Sequence, residues 1–268
     1  MRSVFLCKKL LNRYEIRTRN VTDYFYNKAY LLKLFTQIEG LASMLKPTIP
    51  KSRASKLEKP ESTSTVLDPI WFTRPTCVVA ADLVGKVLCR KLIDTDGTVK
   101  VLRMRISETE AYIGEEDPAC HSHAGTRTPR TEIMYEQGGV FYVYLTYGIH
   151  HMLNVISGPL ESPESVLIRA GFLAEDSDRL IEEQQLSPDK QLTHPKQFAG
   201  PGKLTKQLQI DRQLYGKFIV PESGVWIKDD GCAPPVSLRP RIGIDYAGDA
   251  KDWLLRYIWT AHPSLSKK

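Results

Sequence analysis

The sequence predicts an α+β fold, a single mixed domain with a curved antiparallel β-sheet and a protruding β-hairpin, preceded by a basic extension. Three observations lead there. Apolar and polar residues alternate over several short runs, as they do in half-buried strands. These runs are not separated by long helical patterns, which speaks against a doubly wound parallel sheet. The first 65 residues also differ in composition from residues 66–268, which are numerous enough to bury a sizeable core.

Residues 1–65 carry 13 Lys and Arg against 5 Asp and Glu, whereas residues 66–268 carry 24 against 26. The overall charge of +6 therefore belongs to the extension, and any phosphate contacts of the main domain must come from a local patch. KPTIPKSRASKLEKPESTST, from Lys46 to Thr65, has the Pro, Ser, Thr and Lys content of a linker, so the boundary is placed near Val66. The extension is expected to be disordered. An organelle transit peptide, a phosphate-gripping arm and a segment without a role all remain open for it. Five cysteines, none in a CxxC, point to reduced thiols in an intracellular protein, and no apolar run reaches membrane-spanning length.

Val78 to Leu92 reads as a short helix running into a strand, and Thr98 to Tyr112 as a strand. The run VFYVYLTYGIHHMLNVI, Val140 to Ile156, reads as a hairpin. Phe141, Val143 and Leu145 alternate with Tyr142, Tyr144 and Thr146, Tyr147-Gly148 breaks the run, and a returning strand comes next. Glycine at the bend is ordinary turn chemistry, but a tyrosine on an exposed tip makes sense if the tip is inserted into something. Ser165 to Phe172 gives another strand. Helices are expected over about Glu175 to Gln185 and from Lys203 to Leu208, before a polar, proline-rich strand-and-loop region.

Glu108 and Glu110 end the strand that begins near Val99 and share a face, with Thr109 turned away. They fit a solvated acidic pair or a general base at a pocket rim. Cys120-His121-Ser122-His123 resembles a metal-site fragment but lacks partners at useful spacing, so no metal is expected and His121 is a wall residue or a loop histidine. The basic loop Ala124 to Arg130 suits phosphates or plain solvation. Tyr112, Tyr142, Tyr144 and Tyr147 fit strand packing, or a slot that sandwiches a planar ring beside a wedge. No P-loop, GxGxxG or GxSxG elbow is present.

Taken in order, ETEAYIGEEDPACHSHAGTRTPRTEIMY, GGVFYVYLTYGIHHMLNV, VLIRAG, GPGKLTKQL and RPRIGIDYAGDAKDWLLRYI closely resemble the alkyladenine (3-methyladenine) DNA glycosylase family, over about Leu67 to Ser266. The resemblance implies a monofunctional base-excision repair enzyme without cofactor or metal. It would act as a monomer on double-stranded DNA, flipping alkylated or deaminated purines out of the duplex and hydrolysing the N-glycosidic bond. It further implies that Glu110 activates water and Arg169 helps to hold it, and that Tyr112, His121 and Tyr144 form the base pocket. Asn154 would limit the entry of guanine, and Tyr147 would intercalate. Ile149 and His150 depart from the bulky, apolar residues that resemblance leads one to expect beside the wedge.

Overall fold

The longest alternating run in the sequence forms the longest strand. In the computed structural model, which describes residues 64–178, 194 and 196–266, strand β3 spans Val99–Tyr112. Around it lie β1 (Thr65–Val66), β2 (Val87–Ile93), β4 (Phe141–Thr146), β5 (His150–Ser157), β6 (Glu164–Leu173), β7 (Val225–Asp229), β8 (Val236–Arg239) and β9 (Arg256–Trp259). The described residues form one antiparallel sheet in the order β1-β7-β2-β3-β6-β5-β4. Where β2 ends, β9 takes its place beside Glu108 to Glu110, with β8 outside it. The second half of β3 is thereby paired on both sides.

One face of the sheet is packed against helix α1 (Thr76–Leu83), whose Val79, Ala80 and Leu83 join Leu102, Met104, Ile106, Ala111 and Ile168 in the main core. The alternation in β3 does not run unbroken. Its pairing with β6 shifts register between Ile106 and Thr109, which marks a β-bulge. Even-numbered Leu102, Met104 and Ile106 lie in the core before it; after it, odd-numbered Ala111 does, and the Thr109 hydroxyl donates to Ala80 O at 2.8 Å. Continued alternation would have sent Glu108 and Glu110 into the apolar layer under α1. The bulge turns both to the opposite face. Gly171 of β6 sits at this irregularity, where a Cβ would come within 2.5 Å of Arg105 O.

Helix α2 (Pro201–Gln207) begins two residues earlier than the apolar spacing predicts, because Pro201 supplies a preset φ at its first turn. It buries Leu204 and braces the hairpin, the Thr205 hydroxyl donating to His151 O at 2.9 Å. The helix expected from Glu175 is absent over Glu175 to Asp178, which form a turn. Ser177 and Asp178 instead accept hydrogen bonds from the Arg103 and Val101 amides at the start of β3, satisfying strand donors that a helix would leave unpaired. The rest of that expected helix lies outside the described residues. So does nearly all of the extension, but Thr65, assigned to it from composition, pairs with Asp229 as the first residue of the sheet.

Candidate active site

The face opposite α1 collects the aromatic and charged residues of four elements. From β6, alternation points Ser165, Leu167 and Arg169 to it; from β5, Met152 and Asn154; from β4, Tyr142 and Tyr144. Tyr112 at the end of β3, the loop bearing His121 and Arg130, and the segment Ile242 to Tyr246 close it over. The result is a cavity of about 260 Å³, on the scale of one heterocyclic base. Of the residues singled out from the sequence, Arg169, Tyr112, His121, Tyr144, Asn154 and Tyr147 all line it.

Glu110 does not line it. Its side chain is fully buried beneath three residues of the wall: Oε2 accepts from the Tyr112 hydroxyl at 2.9 Å and Arg169 Nη1 at 3.2 Å, and Oε1 from the Ile242 amide at 2.8 Å. Burial raises its pKa above the ordinary carboxylate value, against the lowering effect of Arg169, the Ile242 N–H and Tyr112. Oε1 keeps a lone pair beyond its single N–H donor, so the carboxylate can accept a proton from a water bridging it to the cavity. Arg169 is shared: its Nε donates to Glu108 Oε1 at 3.2 Å, and Arg256 Nη1 donates to the same oxygen at 3.0 Å. Burial works against the Arg169 charge, but Glu110 and Glu108 outweigh it, so the guanidinium stays cationic.

The walls hold one another in place. His121 Nδ1 is 2.8 Å from the Tyr142 hydroxyl, and its ring meets that of Tyr144 edge-on at 4.7 Å. Arg130, read from the sequence as part of a phosphate-suited loop, reaches the cavity instead. Its Nη2 lies 3.0 Å from His121 Nε2 and its guanidinium 4.8 Å over the Tyr144 ring. A guanidinium can only donate, and the same Nη2 lies 3.3 Å from Nδ1, so the ring must offer it a lone pair, as a neutral imidazole does. Burial and the neighbouring Arg130 charge agree with this, lowering the His121 pKa to about 4. Burial likewise pushes Tyr142 up to about 12 and keeps Tyr144 protonated.

Tyr112 is backed by Arg241, whose guanidinium lies 4.7 Å from its ring. Arg241 is fully buried and does not line the cavity, so it occupies the far side of the ring. It forms a bidentate pair with buried Asp117 at 2.5 and 2.7 Å. Sequence reading missed Arg130, Arg241 and Asp117, and only the basic character of the 124–130 loop hinted at the first. Cys120 of the metal-like fragment is buried, 3.1 Å from the Ser122 hydroxyl, and no group of three metal-ligating side chains is found among the described residues. Asn154, which lines the cavity, donates through Nδ2 to Tyr142 O at 3.1 Å, tying β5 to β4.

The hairpin ends at the cavity mouth. Tyr147 and Gly148 have φ of 49° and 70°, the conformation of a type I′ turn, and the Ile149 amide donates to Thr146 O at 3.2 Å. A tyrosine in the left-handed region is strained by roughly 1–2 kcal/mol. Its side chain is nevertheless 90% exposed, so no packing offsets that strain. Tyr246, at 71% exposed, stands at the same mouth.

Residues 70–263 match the family described as methylpurine-DNA glycosylase. Relatives carrying the name 3-methyladenine DNA glycosylase include one from Psychrobacter cryohalolentis, 78% identical over 205 residues, which cover 76% of this chain and 97% of the relative. One from Natranaerobius thermophilus is 36% identical, covering 75% and 98%. Another, from Bdellovibrio bacteriovorus, is 37% identical over 76% of this chain and 100% of its own length. The chain belongs to the methylpurine-DNA glycosylase family, and so to the DNA-repair enzymes that hydrolyse N-glycosyl bonds.

Proposed function

We propose that this chain extrudes a damaged purine from double-stranded DNA into the aromatic cavity and hydrolyses its N-glycosidic bond there, leaving an abasic site. The observation that carries this reading is the adjacency of three things: an exposed, strained tyrosine at the mouth, a cavity sized for one base, and a buried carboxylate with its arginine at the floor. The substrates are alkylated or deaminated purines of the 3-methyladenine, 7-methylguanine and hypoxanthine type. A base alkylated at N3 or N7 is cationic and leaves readily. Stacking on Tyr112 and Tyr144 adds a cation–π attraction of about 0.5–2 kcal/mol that a neutral base does not obtain.

In this mechanism Glu110, with Arg169 beside it, orients the water that attacks C1′ and stabilises the positive charge developing on the sugar. No metal or organic cofactor takes part. Among the described residues that line the cavity there are arginines but no lysine, in keeping with a monofunctional enzyme that forms no Schiff base and does not cleave the strand. In this reading the chain acts on DNA inside the cell as a monomer. Measuring excision of the same lesion from duplex DNA and from the free nucleoside tests the proposal. Release from the duplex alone is expected; comparable release from the nucleoside would make the chain a small-molecule hydrolase.

Glu110 has to be ionised to accept the water's proton, and burial raises its pKa. Single-turnover base release is therefore expected to rise with pH through a midpoint above the ordinary glutamate value of about 4.3. A midpoint at or below that value would remove Glu110 from the rate-determining chemistry.

We also propose that residues 1–63 are dispensable for excision. A chain beginning at Ser64 keeps β1 and is expected to match the full-length protein in folding and single-turnover rate. If the basic extension touches phosphates, the shortened chain binds with a shallower salt dependence, by about 0.9 in the slope for each phosphate that the extension would otherwise neutralise. An insoluble or inactive product would show that the domain begins earlier.

A further inference from the structure

The last described residues of the chain end on the carboxylate that shares Arg169 with Glu110. Ser266 donates its backbone N–H to Glu108 Oε2 at 2.7 Å and its hydroxyl to Glu108 Oε1 at 2.7 Å. Arg169 Nη2 in turn donates to the Ser266 hydroxyl oxygen at 3.4 Å. Two residues earlier, the Ser264 hydroxyl donates to that of Ser107, at the bulge itself, at 2.8 Å. This segment therefore grips the irregular part of β3 at two points on either side of Leu265.

Arg169 is one cation between two fully buried carboxylates on one face of β3. Nε goes to Glu108, Nη1 to Glu110 and Nη2 to Ser266. How its charge divides between the two depends on what else each carboxylate receives. Glu110 has the Ile242 amide and the Tyr112 hydroxyl. Glu108 has Arg256 from β9 and both donors of Ser266. Without the Ser266 hydroxyl, Glu108 loses a short donor and Arg169 loses an acceptor. A buried carboxylate short of donors attracts the nearest cation more strongly.

We infer that Ser266 is a positioning residue for base release: by satisfying Glu108 it leaves the Arg169 guanidinium available to Glu110. The inference rests on the reading of Glu110 as the group that activates water. It assigns the C-terminal segment a part in the chemistry although Ser266 does not line the cavity.

The groups facing Glu110 are Arg169 from β6, Tyr112 and Glu108 from its own strand, and the Ile242 amide. Those facing Glu108 are Arg169, Arg256 from β9 and Ser266. Among the described residues of the C-terminal segment, the titratable group nearest Ser266 is His262, bonded to Ser264. If Arg169 is drawn towards Glu108, Glu110 loses its main cationic neighbour and ionises at higher pH.

The test is Ser266→Ala in the full-length protein, read as the pH dependence of single-turnover base release alongside lesion-duplex Kd and the urea midpoint. A roughly tenfold loss at neutral pH is expected, the loss of one hydrogen bond to a charged group, with unchanged Kd. The acid limb of the rate profile moves upward, so raising the pH recovers part of the loss. Ser266→Thr, which keeps both donors, recovers most of the rate. If the alanine variant does not fold, Ser266→Cys, with a weaker donor, is read in the same way and gives an intermediate displacement of the limb. Superimposable profiles for Ser266→Ala and wild type would overturn the inference, as would a loss that leaves the acid limb in place, since that is what simple destabilisation produces. Glu110→Gln run in parallel keeps the two claims apart. Activity in that variant would remove Glu110 as the base, whereas an inactive Glu110→Gln beside a wild-type-like Ser266→Ala sinks only the positioning role.

Discussion

Glu110→Gln is expected to abolish base release while leaving lesion-containing duplex bound about as tightly as by wild type. The substitution keeps shape, and the amide oxygen, placed where Oε2 is now, can still accept the Arg169 and Tyr112 donors, while the amide NH2 takes the place of the oxygen that accepts from the Ile242 N–H. It removes the capacity to take a proton from water and the negative charge facing the developing oxocarbenium ion. Loss of a general base typically lowers the rate roughly 100-fold to 10,000-fold. Binding should change little, because the side chain is buried behind the wall and does not line the cavity. Single-turnover release of hypoxanthine or 3-methyladenine, with Kd measured on the same duplex, checks both halves. Near wild-type release would mean that another group activates the water. Weakened binding with unchanged chemistry would mean that the glutamate serves only to set the wall.

Tyr147→Ser should affect extrusion rather than hydrolysis. The wedge stabilises the extruded state by replacing stacking that the duplex loses, a contribution of a few kcal/mol, whereas Glu110 acts only once the base has left the helix. Excision of a lesion in a stable, well-paired duplex is therefore expected to fall on the order of 100-fold. The same lesion in a mismatch or a bulge, where unstacking is already partly done, should be affected far less. Serine tolerates the turn and removes the ring, so the hairpin itself should survive. Stopped-flow fluorescence of a lesion flanked by 2-aminopurine, run on both duplex types, separates the steps. Equal losses on the two, or none on either, would reduce Tyr147 to a residue of the hairpin fold.

Strands were the legible part of this protein. β3, β4, β5 and β6 follow from alternation, and the hairpin turn from a Tyr-Gly break flanked by alternating residues, because each depends on neighbours a few positions away. Six residues that the family resemblance pointed to converge on one cavity, and the seventh, Glu110, lies just beneath it. The illegible features involve partners far apart along the chain. Arg241 and Asp117 are 124 positions apart, and Ser266 and Glu108 are 158 apart. Arg130 lies in a loop with no periodicity to show which way it turns. The expected helix at Glu175 failed for a related reason: its first polar residues are used by β3 amides that local sequence cannot reveal.

The bulge in β3 also constrains how this chain can change length. Because side chains alternate with a period of two, the side of the sheet on which Glu108 and Glu110 stand depends on counting every residue from Met104 onward. One extra residue at that point turns both carboxylates away from α1; one fewer would direct them into it, where two ionised groups have neither water nor cations. Gains and losses of single residues are thus tolerable in the turn between β2 and β3, where Gly97 has open space around it. Between Ile106 and Glu110 they are not. This stretch of strand has a reading frame of its own, and a shift of one position costs the site both of its acids without altering a single functional residue.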